Sequence, residues 1–296
     1  MTIPARIFCI VARKAPVAAV FRRGPSKQVA LLEWQLATNR VELGQWLKGR
    51  IYERRADLSP DGRHLIYFAG DHHWTSDPSD MLRGTWTAIS RMPYLRAMHL
   101  YGWGHSWNGG GMFIDNHTYW LNVGEPMGYE SAGRIECGLC ATDTAPEGVT
   151  PMMGEDPVTY VPRLLRDGWV QVARGPDGQG RQGHDTTALT FQKEIRPGWR
   201  LEKIFYTGVS AGPLGKPYHE MHRVIGPQGT VDFAAEWAEV WEGHLLWANA
   251  GCLWRCGMHA MGLGEVTMVA DLNDMRFEAI AAPYAGVGPG DLRDAT

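Results

Sequence analysis

The sequence predicts an all-β protein. Three observations carry that expectation: about twenty short stretches of strand character, turn signals between almost all of them, and no sustained helical period. Glycine and proline supply the punctuation, with 36 and 18 copies among 296 residues. Thirteen tryptophans add large flat rings of the kind that fill the space between stacked sheets.

The most legible element is DLSPDGRHLIYFAG, residues 57–70. Pro60 sets φ for the second position of a turn, Asp61 bonds back to the local backbone, and Gly62 tolerates positive φ. The turn joins Ile51–Leu58, which mixes apolar and charged residues, to His64–Ala69, which is apolar on both faces. Such a run suits a strand covered on both sides. Other hairpins follow the same plan. Residues 17–34 read as strand, Gly-Pro-Ser turn, strand, and residues 32–46 place two strands around a short polar turn. Residues 111–122 turn at Asp115-Asn116, and 169–178 and 223–233 carry Gly-Pro-x-Gly after a strand. Lone helical turns are expected near Pro162–Arg166 and Asp271–Met275.

Internal repetition narrows the architecture. RHLIYFAG (63–70) has a partner in GHLLWANAG (243–251), where glycine precedes the same His-Leu pair. At four strands per blade, about twenty strands make about five blades, and the distance between the two hairpins fits about three or four of them. The expected fold is a β-propeller of about five four-stranded blades, forming a single domain over residues 1–296, in preference to a pair of β-sandwiches. DLSPDGRHLIYFA resembles the Ser-Pro-Asp-Gly repeat of WD40-like propellers of the TolB type, in which that turn joins the inner strands of a blade. The resemblance covers residues 51–70 well and 243–251 faintly. It implies blades and names no ligand. The chain departs from that pattern in two ways: most of its other hairpins lack the turn, and the family's frequent export signal is not evident here. Residues 124–163, rich in Gly, Pro, Thr and acids, break the strand rhythm and are expected to form a loop-rich, lid-like insertion.

Composition sets limits on function. A net charge of −3, with basic runs no longer than FRRG and ERR, argues against nucleic acid as a partner. No run approaches the roughly 18 apolar residues of a membrane span. Arg6, Arg13 and Lys14 interrupt any signal-peptide core, and five cysteines show no disulfide-scaffold spacing. These features set the expectation of a cytoplasmic protein away from membranes.

Several motif matches fail on context. GQGRQG (178–183) precedes a strand-like segment rather than a helix, which a dinucleotide loop requires. GVSAG (208–212) is followed by Pro213 and Pro217, which forbid the helix behind a nucleophilic Ser210. HEMH (219–222) is one residue short of a zincin motif. CGLC (137–140) has metal-like spacing, but Cys252 and Cys256 of CLWRC would lie about 13 Å apart on a strand. No cofactor and no metal are assigned.

The densest polar and aromatic patch is YGWGHSWNGGGMFIDNH, residues 101–117. Trp103, His105, Trp107, Asn108, Asp115 and His117 stand there among five glycines, a composition able to stack and hydrogen-bond a sugar-like or aromatic ligand. The same residues also suit a packed, capped turn. Asp71, His72, His73 and Trp74 form a smaller patch, and His184, Asp185, His219 and His222 are further candidates. Two functions remain open. One is a binding propeller that recognises a protein partner or small ligand on its Trp/His/Gly-rich loop face. The other is a hydrolase acting on a glycan or small ester or phosphate through His and Asp around a central channel, with or without a metal.

Overall fold

A computed structural model describes residues 3–24, 27–74, 82, 84–123, 130–134, 137–149, 156–176, 187–207, 218–259 and 262–284. These residues form twenty-one strands and one helix, an all-β fold. The chain divides into two compact units, one of Met1–Phe8 with Leu164–Asp274, the other of Cys9–Arg163 with Met275–Thr296.

In the second of these units the strands are β1 (Arg6–Val11, shared with the first unit), β2 (Val17–Arg23), β3 (Gln28–Gln35) and β4 (Arg40–Lys48), a meander in that order. Then follow β5 (Arg50–Leu58), β6 (His64–Gly70), β7 (Thr85–Arg91), β8 (Ala97–Gly102), β9 (Gly111–Phe113), β10 (Thr118–Leu121), β11 (Glu130–Arg134) and β12 (Cys140–Thr142). A five-stranded sheet has the order β11-β8-β7-β6-β5, and a three-stranded one has β12-β10-β9, with β12 parallel to β10. β6 is buried on both faces after His64, as its unbroken apolar run requires. Ile66 and Ile89 join Tyr101, Phe113, Tyr119 and Leu121 in one core cluster, which holds β9 and β10 against the larger sheet. Inside it Tyr119 Oη lies 2.6 Å from His99 Nδ1 and 2.7 Å from Tyr101 Oη, so the buried hydroxyls satisfy one another.

One irregularity shapes everything that follows. Tyr52 pairs with Phe68 and Asp57 with Ile66, so residues 53–56 of β5 bulge opposite Tyr67 alone. The bulge turns Arg54 and Arg55 into the interior, where both are buried.

In the first unit β13 (Val170–Pro176), β14 (Thr187–Arg196), β15 (Trp199–Tyr206), β16 (His219–Gly226) and β17 (Gly229–Phe233) form a five-stranded meander. β18 (Trp237–Trp241), β19 (His244–Asn249), β20 (Cys252–His259) and β21 (Gly262–Asp271) form a four-stranded one. Two-residue turns join β18 to β19 and β19 to β20. Glu242-Gly243 and Ala250-Gly251 have positive φ at both positions, the conformation whose twist matches the flanking strands.

Where a lone helical turn was expected there is a ten-residue helix, α1 (Pro157–Arg166), running through Pro162. Pro162 removes one amide donor from its second turn, but Tyr160 and Leu164 are both buried, and that burial outweighs the lost bond. The described part of the expected insertion thus carries β11, β12 and most of α1. Residues 124–129, 135–136 and 150–155 lie outside the described residues, as do 178–183, 208–212, His184 and Asp185.

Candidate functional site

The antiparallel register of β5 to β8 gives that sheet two ends. One holds the start of β5, the loop after β6, the start of β7 and the loop after β8. The other holds the β5–β6 turn and the β7–β8 connection. Because β9 runs from the first end toward the second, the six residues singled out in 101–117 separate. Trp103, His105, Trp107 and Asn108 lie at the first end. Asp115 and His117 lie at the second, where the side chain of neighbouring Asn116 accepts the Asp61 amide at 3.0 Å. The ends are roughly 20 Å apart at strand rise.

At the first end the loop is clamped from inside. Arg55, 2% exposed, donates Nε to Asp156 Oδ1 at 2.9 Å and Nη1 to the carbonyls of Ser106 at 2.6 Å and Asn108 at 3.1 Å. Its guanidinium also lies over the rings of Tyr52 and Phe68, 5.0 and 5.2 Å from their centroids. Asn108 is fully buried and serves the clamp through its backbone. The glycines that follow are needed for close packing. A Cβ on Gly109 would strike the Phe68 ring at 2.3 Å, and one on Gly110 would lie 2.0 Å from the Arg55 carbonyl oxygen. They bring the loop onto the sheet, which is a different task from opening backbone to a ligand.

Trp103 is packing. It is 6% exposed, and its Nε1 donates to Thr87 Oγ1 at 2.7 Å. Trp107 faces outward, 55% exposed. His105 stands edge-on to Trp103, half-buried, with its carbonyl bound by Thr85 Oγ1 at 2.7 Å. Neither of its ring nitrogens has a hydrogen-bond partner among the described residues. Burial, and then the Arg55 charge, hold its pKa below the ordinary value, so the imidazole is neutral near pH 7.

The smaller patch joins this end. Tyr52 Oη lies 3.2 Å from His72 Nε2, the His72 ring lies 5.7 Å from Trp74, and Trp74 is 52% exposed. Arg50 covers the Tyr52 ring at 4.3 Å. His72 is likewise held below its ordinary pKa, first by burial and then by Arg50. Gly84, beside the Trp74 ring, directly precedes Thr85, which holds His105. The end therefore presents two exposed indoles and the neutral imidazole of His72, with His105 buried beneath, and the Arg55–Asp156 pair fixes the 106–108 backbone.

Asp115 and His117 form a turn at the other end. Asp115 Oδ1 accepts the amides of His117 and Thr118, both at 2.7 Å, and these bonds hold its carboxyl below the usual range. His117 is exposed.

The first unit has a polar centre of its own, which includes one of the further candidates. Lys203 Nζ lies 3.3 Å from Glu220 Oε2, and His222 Nε2 lies 3.4 Å from the same oxygen. Lys193 pairs with Glu239 at 2.8 Å, and Trp169 Nε1 donates to Glu239 at 3.0 Å. Burial pushes the Glu239 carboxyl up, but Lys193 and Lys203 outweigh it and leave it below its ordinary value. Lys203, Glu220 and His222 are covered, so these groups tie strands together and offer nothing to a ligand. His219, three residues from His222 on a strand, points to the opposite face and stacks on Tyr206 at 4.5 Å.

Arg55 and Asp156 were missed in the sequence. ERR reads as a short basic run, and its only signal was a pair of charges inside a strand that otherwise buries its neighbours. All five cysteines are free thiols; Cys137 Sγ lies 3.4 Å from His99 Nε2. Compared with known proteins, the chain matches no family model and no curated sequence.

Proposed function

We propose that this chain is a ligand-binding β-propeller of the TolB-like repeat kind, and that the aromatic end of its β5–β8 sheet stacks a saccharide. Five sheets of three to five strands, three of them meanders of consecutive strands, support the blade reading. The observation that carries the ligand class is Trp107, an exposed indole on a loop that the buried Arg55–Asp156 pair holds in place. A saccharide offers a flat apolar face to an indole and hydroxyls to neutral hydrogen-bonding groups. His72, half-buried beside the Tyr52 hydroxyl, supplies such a group, while the ring nitrogens of His105 lie buried beneath the loop. A hydrolase would need a carboxylate poised here, yet among the described residues Asp156 is occupied by Arg55, and Asp71 accepts the His73 amide at 2.9 Å. Binding is the better reading.

Calorimetric titration with neutral linear and branched oligosaccharides tests it. At least one should bind, and Trp107→Ala should weaken that binding about tenfold or more, the loss expected of a stacking ring. Failure of the whole panel to bind, or unchanged affinity in the variant, rejects the proposal.

A further inference from the structure

The second end of the same sheet has its own cavity, of about 320 Å³. That volume holds about ten waters, or one molecule of amino-acid size. Its walls come from different sheets. Val17, Glu33 and Gln35 belong to β2 and β3, whereas Asp61, Arg63 and Arg91 belong to the β5–β6 turn and the end of β7.

The two walls differ in charge. On the first, Glu33 Oε1 accepts a hydrogen bond from Gln35 Nε2 at 2.6 Å and makes no ion pair among the described residues. The amide fixes the carboxylate without neutralising it. On the second, Asp61 is committed to its own turn, since Oδ1 accepts Ser59 Oγ at 2.6 Å and the Arg63 amide at 3.1 Å. Arg63 Nε reaches Asp61 only at 3.9 Å, a loose contact on a side chain that is 71% exposed. This wall therefore presents the exposed guanidinium of Arg63, with Arg91 also lining it. Gly62, at φ 76°, closes the turn without a side chain, and a Cβ there would lie 3.2 Å from Val17 Cβ. The absence of that Cβ keeps the space between the walls open.

We infer that this cavity is a binding site for a small zwitterion of the α-amino-acid class, its ammonium on Glu33 and its carboxylate on Arg63. Guanidinium suits a carboxylate because its N–H fork matches two oxygens. A carboxylate held by a neutral amide keeps its charge and suits an ammonium. A ligand that carries both charges satisfies both walls at once. The site is independent of the saccharide reading.

The test uses the full chain and free L-amino acids at millimolar concentration, followed by thermal shift and by calorimetry for those that act. One or more should raise the melting temperature, while the N-acetyl and carboxamide forms of the same amino acid, each lacking one charge, should not. Glu33→Gln keeps the shape of a half-buried side chain and should weaken binding about tenfold or more. Arg63→Gln, at an exposed position, should do the same, and it retains the test if the first variant folds poorly. No response to any free amino acid, equal response to a blocked form, or full affinity in both variants overturns the assignment.

Discussion

The two ends of the β5–β8 sheet handle charge in opposite ways. At the aromatic end the pair that sets the loop is internal: Arg55 and Asp156 lie under it, and two indoles reach solvent with Arg50 beside them. At the charged end the carboxylates and guanidiniums line a cavity, and the turn beneath them is held by hydroxyl, amide and backbone groups. The difference follows from how each end is made. A bulge in β5 drives its arginines inward, where only full hydrogen bonding makes them tolerable. A tight Ser-Pro-Asp-Gly turn satisfies itself locally and leaves its neighbours to face outward. Rigid positioning is thus achieved at one end with buried charge, at the other with turn chemistry.

The sharpest way to break that contrast is Arg55→Ala. It leaves Asp156 and two loop carbonyls without their donor, and the expected cost is about 3–5 kcal/mol. Urea denaturation measures it, and Asp156→Asn, which keeps a polar partner in place, should cost clearly less. If Arg55→Ala costs under about 1 kcal/mol, the aromatic end is not clamped from within and the two ends are built alike.

Trp103→Ala comes next. It removes a buried ring and the donor to Thr87 and should cost about 3–4 kcal/mol. A cost within about 0.5 kcal/mol would place Trp103 among the surface rings instead.

Much of the fold was legible and much of the site was not, for one physical reason. Strand and turn signals are local. The double-sided burial of β6, the Gly62 turn and the Asp115-Asn116 turn all lie within a few residues of the letters that specify them. The site depends on pairing across the fold. Arg55 meets Asp156 across about a hundred positions, and the β5 bulge that makes this possible has no glycine or proline to announce it. Trp103 and Trp107 are equivalent in the sequence because the intervening residues lack strand periodicity. The Thr87 hydroxyl, on another strand, decides which one turns inward. The three consecutive glycines suggested ligand access, yet Phe68 and the Arg55 backbone occupy the space that their missing side chains leave.

At the charged end, His64 supplies a smaller effect that depends on pH. Burial is the main cause of a pKa lowered to about 4, with Asp61 pulling the other way and Arg91 adding to the decrease. An unfolded histidine titrates near 6.5, so between about pH 6.5 and 4 the unfolded chain binds the extra proton. Stability is therefore complete above about pH 6.5 and falls as the pH drops toward 4, by about 2 kcal/mol once partial solvent screening is allowed for. Denaturation midpoints at pH 4.5 and 7 should differ less in His64→Gln than in the parent. An identical pH slope in the two proteins would move His64 out of the buried wall of this end.

Gly62→Ala should cost about 1–2 kcal/mol, from a left-handed backbone and from the close approach of Val17. Thermal melts suffice to detect it. A neutral result would show that the turn relaxes, and the cavity beside it would then owe nothing to the missing side chain.

The smallest stability effect belongs to Trp107, and its smallness is the informative part. An indole 55% exposed has little core area to lose, so Trp107→Ala should change the denaturation midpoint by no more than about 0.5 kcal/mol. Its neighbours are held by Arg55 through the carbonyls of Ser106 and Asn108, so the loop keeps its path when the ring is removed. Intact stability with saccharide binding lost assigns the ring to a ligand. Intact stability with intact binding leaves it a bystander, and Trp74 is then the exposed indole of the aromatic end among the described residues. A large loss of stability would mean that the ring packs against the protein in solution. The aromatic end would then be closed, and the charged cavity would be the sheet's one open site among the described residues.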